Sequence, residues 1–132
     1  MSNKTVISSI EGTYTAKIQN HRDFAATRLS AYHDVEQDFF YFMGEEGESP
    51  LPGADFRLLH IHVTKDGGDL KFQRLDYIIK VNGDQKRYWA DEGDFTIDFD
   101  EAIRHYKMSF HVSAKYISET IDILGSFDLM QK

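Results

Sequence analysis

The chain has 132 residues, with 15 basic and 22 acidic side chains, a formal net charge of −7 and no cysteine. That length suits one domain, which we place over residues 1–132, and the lack of cysteine excludes disulfides, cysteine-ligated metals and thiol catalysis. The negative charge disfavours a nucleic-acid partner, because a phosphate backbone repels such a surface and the densest basic run, residues 85–89, holds only two adjacent cations.

Membrane and export signals are also missing from the sequence. The first ten residues contain one lysine and no apolar run of the length that a signal peptide needs. No stretch approaches the roughly 18 consecutive apolar residues of a membrane-spanning helix. We therefore expect a cytoplasmic protein without a membrane partner.

Alternation of apolar and polar residues dominates the chain and recurs about every ten to fifteen residues. This pattern predicts an all-β fold, a single-domain antiparallel β-sandwich or flattened barrel of about eight or nine strands. The predicted strands cover residues 12–19, 24–33, 37–43, 55–64, 70–81, 86–90, 94–100, 105–115 and 120–130.

Turn residues separate these segments, and one segment is ambiguous. Asn and Gly tolerate the positive φ of tight hairpins, so "KDGGD" (65–69) and "NGD" (82–84) are predicted turns, as is "NHRD" at 20–23. Residues 69–81 have helical spacing at Leu70, Gln73, Arg74 and Tyr77. Leu70, Phe72 and Ile78 favour a strand instead, provided that a bulge or bend near Arg74 switches the face.

A hairpin near the C-terminus has one register that suits both of its faces. The inward pairs are Phe95/Phe110, Ile97/Met108 and Phe99/Tyr106, and the outward pairs are Asp94/His111, Thr96/Ser109, Asp98/Lys107 and Asp100/His105. A slip by one residue would set carboxylates against aromatic rings, so we expect this register, with residues 95, 97, 99, 108 and 110 buried. In the last strand, Gly125 predicts a kink or a close approach.

His60 and His62 are the candidate metal ligands. On a strand they point to one face, as ligands of zinc would, opposite the apolar Leu59 and Ile61. A stable zinc site needs at least three protein ligands, and no third ligand is identifiable from the sequence. We therefore expect no metal and no other cofactor, and rings that titrate near about 6.5 if they are solvated and unpaired.

Residues 43–55, "MGEEGESPLPGAD", form a predicted long loop with both prolines. Loops of this length are often functional or mobile. Its carboxylates Glu45, Glu46 and Glu48 are candidate contacts for a basic partner.

Two further features bear on binding. Tyr88 and Trp89 are adjacent, so on a strand they face opposite sides, one ring in the core and the other available to a ligand or partner. The acidic row Asp94, Asp98 and Asp100 lacks the glycine and the terminal glutamate of a calcium loop. We interpret it as the solvated face of a strand, balanced by the basic residues Lys107, His105 and His111 of the neighbouring strand.

Three functions remain open from sequence. The first is a non-enzymatic protein whose acidic surface binds a basic protein partner; neutralising that partner, as immunity proteins and antitoxins do, is one concrete form of this function. The alternative is a calycin-like barrel that holds a small apolar ligand. The third is a metal-dependent enzyme that uses His60 and His62. The sequence leaves the partner, the ligand and the oligomeric state open.

Overall fold

Every regular element in the structure, a computed structural model that describes residues 4–7, 10–47 and 55–132, is a β-strand. The strands are β1 (Lys4–Ile7), β2 (Ile10–Ile18), β3 (Phe24–Ala25), β4 (Arg28–Asp34), β5 (Phe39–Glu46), β6 (Phe56–Asp66), β7 (Asp69–Val81), β8 (Asp84–Ala90), β9 (Asp94–Asp100), β10 (His105–Tyr116) and β11 (Glu119–Gln131). The all-β prediction is confirmed. The described residues contain no helix that is long and apolar enough to cross a membrane.

All of these strands belong to one antiparallel sheet, with the order β1-β4-β5-β6-β7-β8-β10-β11-β2-β3 and with β9 paired to β10. The sheet is strongly curled and forms a half-barrel. Of the two predicted architectures it therefore matches the flattened barrel. Most neighbours in the sheet are also consecutive in the chain, as expected for strands joined by tight turns.

The predicted strand 24–33 is two strands, and the break between them closes the curl. The N–H of Ala26 donates to the carbonyl of Tyr14 on β2, and the N–H of Thr27 donates to the carbonyl of Glu45 on β5, both at 2.9 Å. The chain thus crosses from one end of the curled sheet to the other within two residues. Alternation cannot reveal this crossing, because both halves remain extended.

Residues 69–81 form a strand with a bulge, not a helix. Gln73 has no partner between two paired stretches of β6 and β7. Phe72 before the bulge and Leu75 after it are both buried, so the spacing between inward side chains is three residues here instead of two. The bulge near Arg74 is therefore confirmed, but Ile78 lies on the outward face.

The tight turns follow the predicted chemistry. Gly67 and Gly68 have φ of 60° and 91°, and Asn82 and Gly83 have φ of 52° and 85°. Two successive positive φ values suit the twist of antiparallel hairpins, and Gly and Asn adopt them at little steric cost.

The register of β9 against β10 is confirmed at all seven predicted pairs. The burial prediction is only partly right. Met108 and Phe110 are buried, whereas Ile97 and Phe99 are half-buried and Phe95 is 42% exposed. Phe95 was predicted to be buried and is not, because β9 pairs only with β10 and no described strand pairs with its other edge.

Aromatic rings fill the middle of the half-barrel. The ring centroids of Phe42 and Phe127 are 4.7 Å apart, and those of Tyr14 and Phe127 are 5.2 Å apart. The close approach predicted at Gly125 is confirmed, since a Cβ there would lie 2.7 Å from Cζ of Phe110. Packing this dense leaves the ends of the half-barrel as the places where polar side chains can gather.

Candidate binding site at the mouth of the half-barrel

Charged and hydroxyl groups replace apolar ones at one end of the inward face, which we call the mouth. Arg57 precedes the buried Leu59 by two positions on β6, so strand alternation turns its side chain inward. Glu46 lies two positions after the buried Gly44 on β5 and is likewise turned inward. The register pairs Glu46 directly with Arg57, so the two charges meet inside the mouth.

Arg57 uses its whole guanidinium group in contacts within the chain. Its Nε donates to Glu46 Oε1 at 3.1 Å, and its Nη2 donates to the two carboxylate oxygens at 2.7 and 2.9 Å. It also donates to the carbonyls of Arg22 and Asp23 at 2.6 and 2.7 Å and, more weakly, to the hydroxyl of Tyr77 at 3.5 Å. Arg57 therefore holds the β2–β3 turn against β5 and β6.

The Glu46 carboxylate is held in its charged form. Burial raises the pKa of Glu46. Hydrogen bonds from the Ala25 N–H and Arg57, together with the charges of Arg57 and Arg22, outweigh this effect, so the pKa of Glu46 lies below its usual value. A carboxylate paired with a guanidinium in this bidentate way is both strongly bound and fixed in orientation.

His21 lies beside the ion pair and against two tyrosines. Its Nδ1 is 3.1 Å from the hydroxyl of Tyr77, and its ring meets the rings of Tyr77 and Tyr88 edge-on at 5.6 and 5.9 Å. Burial and the nearby charge of Arg57 lower the pKa of His21, with a smaller opposing effect from Glu119. The imidazole is therefore neutral at pH 7 and offers both a donor and an acceptor nitrogen.

A second carboxylate completes the mouth. The Tyr88 hydroxyl donates to Glu119, which also faces Lys86 at 3.7 Å. Burial raises the pKa of Tyr88, and the hydrogen bond to Glu119 raises it further, while the same hydrogen bond lowers the pKa of Glu119. Tyr88 therefore remains a hydroxyl donor across the physiological range.

An open cleft of about 780 Å³ borders this network, and its lining includes His21, Glu46 and Arg57. Its apolar wall is formed by Phe56, Ile79 and Val81, and Arg22 and Lys80 bring positive charge to it. Because Arg57 is neutralised by Glu46, these two cations face one remaining carboxylate among the described lining residues, that of Asp55. The described lining of the cleft thus has a positive balance, in a chain whose net charge is −7.

The predicted acidic loop is placed differently by the structure. Residues 43–46 belong to β5, so Glu45 and Glu46 point to opposite sides of a strand instead of lying in a loop. Glu45 pairs with Arg28 at 2.8 Å on the outward face, whereas Glu46 pairs with Arg57 and Arg22 in the mouth. Glu48 lies outside the described residues.

Tyr88 and Trp89 face opposite sides of β8, as predicted. Tyr88 is fully buried in the mouth, and Trp89 is 40% exposed on the outward face, where the guanidinium of Arg74 lies 4.9 Å from its ring centre. The structure therefore brings Tyr88, but not Trp89, to the cleft end of the molecule.

His60 and His62 project outward from β6, opposite the buried Leu59 and Ile61, as predicted. They are not solvated rings: both stack on Tyr41, with centroid distances of 4.8 and 4.4 Å. Burial lowers the pKa of both histidines below the ordinary value of 6.5, and for His60 the attraction of Asp76 only partly opposes this. The expectation of titration near 6.5 applied to solvated, unpaired rings, and these stacked, part-buried rings do not meet that condition.

Metal-ligand geometry is not assembled around these histidines. Among the described residues, no group of three or more His, Asp or Glu side chains could hold a metal ion. The nearest strand partner with a carboxylate is Asp76, opposite His60, and it is engaged by Arg74 and Arg87 at 3.0 Å.

Several mouth residues were not singled out by sequence reasoning, namely His21, Tyr77, Glu119 and Arg57. Arg57 did carry a signal, because it shares the parity of Leu59 and Ile61 and an inward arginine on a buried strand needs a partner. His21 carried no such signal, since it lies in a turn, where apolar and polar residues do not alternate. Comparison of the chain with protein-family models, curated proteins and solved structures finds no match.

Proposed function

We propose that the protein is a non-enzymatic binding protein that holds a small anionic, partly apolar ligand in the cleft at its mouth. The observation that carries this proposal is the positive, partly apolar cleft of about 780 Å³ in an acidic chain. Ligand sites of this size commonly occupy the mouths of β-barrels and combine apolar walls with a few polar groups.

Arg22 is the anchor that this geometry favours. Its side chain is 73% exposed and lines the cleft, and its Nη2 lies 2.9 Å from Glu46 Oε1. Arg57 cannot take this role, because its donors are already engaged within the chain. A carboxylate, sulfonate or phosphate group at Arg22 would leave the apolar part of the ligand against Phe56 and Ile79.

The packed core limits how deep such a ligand can enter. Phe40, Phe42 and Tyr106 interlock at 5.4 to 6.1 Å across the middle of the half-barrel. An apolar ligand of the calycin type would have to displace these rings, so the proposal places the ligand at the mouth rather than within the sheet.

The test uses two dyes that differ in charge. Anilinonaphthalene sulfonate is anionic, and phenylnaphthylamine is its neutral counterpart. We expect Arg22→Gln to lower the affinity for the sulfonate dye roughly five- to tenfold, because one charged hydrogen bond is lost. The affinity for the neutral dye should change little. Fluorescence titration of the folded protein measures both.

Arg28→Gln is the matched control, since Arg28 pairs with Glu45 at 2.8 Å as Arg22 does with Glu46 at 2.9 Å, but lies outside the cleft. We expect it to leave both affinities unchanged. Equal losses in the two variants, or an equal loss for the neutral dye, would contradict the proposal.

A basic protein partner is the second candidate, and the exposed carboxylates of β9 favour it. Asp94, Asp98 and Asp100 lie on the outward face and are exposed, whereas Glu45 and Glu46 are occupied by arginines of the chain. Association of this type weakens steeply with ionic strength. Binding of a basic peptide that survives high salt unchanged would exclude it.

A further inference from the structure

The wall of the half-barrel has an unpaired edge at β9. Among the described strands, β9 pairs with β10 alone, and β8 joins β7 only from Leu75 onwards. Residues 69–74 of β7 therefore pair with β6 on one side only. In the described part of the chain, β9 and this half of β7 face one another without forming a ladder.

The side chains of this edge alternate in an unusual way. Phe95, Ile97 and Phe99 point to the inward face but stay half-buried or exposed. Across the gap, the ring centroid of Phe95 lies 6.1 Å from that of Phe72. The intervening residues of β9 are exposed and carry three carboxylates. An edge strand with free backbone groups and an apolar row is a template for a further strand.

We propose that β9 accepts an extended segment of a basic protein partner as an added strand. In that segment, lysine or arginine alternates with apolar residues. Backbone hydrogen bonds to the free edge would supply affinity, while the side chains of alternate residues would supply specificity. The apolar side chains would cover Phe95 and Ile97, and the basic ones would lie beside Asp94 and Asp98. This inference rests on the second candidate function and names its site.

Charge complementarity selects this occupant over a second copy of the chain. Two β9 strands paired antiparallel about Ile97 would set Asp94 opposite Asp100 at both ends. Like charges directly opposite one another destabilise a strand pair. Lys107, the cation that pairs with Asp98, lies on β10, on the side of β9 away from the free edge.

The experiment uses the full chain and two synthetic peptides of equal composition. In one peptide lysine and valine alternate, and in the other the valines are contiguous. Amide hydrogen exchange, followed residue by residue by NMR, reports whether a strand is added. We expect the alternating peptide to slow exchange at residues 94–100 and the contiguous peptide to bind at least tenfold more weakly.

Two charge variants separate the edge from general acidity. We expect the triple change Asp94→Asn, Asp98→Asn and Asp100→Asn to lower the affinity for the alternating peptide at least tenfold. The matched control, Glu11→Gln with Asp84→Asn and Asp122→Asn, removes as much charge from the paired strands β2, β8 and β11 and should have little effect.

Three results would overturn the inference. Salt-sensitive binding with protection outside residues 94–100 would reject the β9 site while leaving a basic partner in place. Equal affinity for the two peptides would reject strand addition. Concentration-dependent protection of residues 94–100 without peptide would assign the edge to a second copy of the chain.

Discussion

Glu45 and Glu46 are adjacent carboxylates with opposite structural roles. Glu45 meets the half-exposed Arg28 on the outward face, and Glu46 meets the buried Arg57 in the mouth. The first pair is screened by water, whereas removing one partner of the second leaves a charge without compensation. Position on one side of a strand or the other therefore decides what an identical residue contributes.

This contrast predicts unequal effects of the same substitution. We expect Glu46→Gln to lower the free energy of unfolding by about 3–5 kcal/mol, because Arg57 would keep its charge in the mouth without a carboxylate. Glu45→Gln should change it by about 1 kcal/mol or less. Urea denaturation of both variants is the measurement, and similar midpoints would show that the mouth ion pair is not structural.

At the scale of the element, the β9–β10 hairpin shows that pairing and burial are set separately. Phe95 and Phe110 are cross-strand partners, yet Phe110 is buried and Phe95 is exposed. Phe110 packs towards Gly125 on the neighbouring β11, whereas no described strand pairs with β9 on the other edge, beside Phe95. Whether a side chain of this hairpin is buried therefore depends on the next strand in the sheet and not on its cross-strand partner within the hairpin.

We therefore expect the two phenylalanines to differ sharply in stability measurements. Phe110→Ala should cost roughly 3–5 kcal/mol, because it opens a cavity in a core that cannot fully collapse. Phe95→Ala should cost about 1 kcal/mol or less, as for other exposed positions. Losses of equal size in thermal or urea unfolding would mean that β9 is covered in solution.

Across the whole molecule, burial keeps several histidines neutral. His21 in the mouth and His60 and His62 on the outward face all have a pKa lowered by burial, with Arg57 contributing at His21. Once the chain unfolds, each ring recovers a pKa near 6.5. Below that pH the unfolded state binds more protons than the folded state, so stability rises with pH in this window.

The prediction is a loss of stability as the pH falls from about 7 to about 5.5. The buried carboxylates act in a lower window, because Glu46 and Asp76 have pKa values lowered from 4.5 and 3.8. Urea denaturation across this range should show a flatter pH dependence for a variant with His60→Gln and His62→Gln. A slope equal to that of the unchanged protein would exclude these histidines as its source.

Local pattern determined much of this fold. Alternation with a period of two predicted the strands, and the hairpin register followed because one alignment matched apolar and polar faces together. The turns at Gly67–Gly68 and Asn82–Gly83 followed from residues that tolerate positive φ. The outward direction of His60 followed from the parity of Leu59, which needs no knowledge of neighbouring strands.

The curl of the sheet decided what lies beyond each strand, and no local pattern records it. Only the tertiary structure shows that the chain crosses from β2 to β5 at residues 26–27, that β9 is left with a free edge, and that Glu46 meets Arg57. It also brings the turn residue His21 against Tyr77, 56 positions away. These contacts join residues distant in sequence, so they depend on strand order and curvature, whereas alternation depends only on the geometry of each strand by itself.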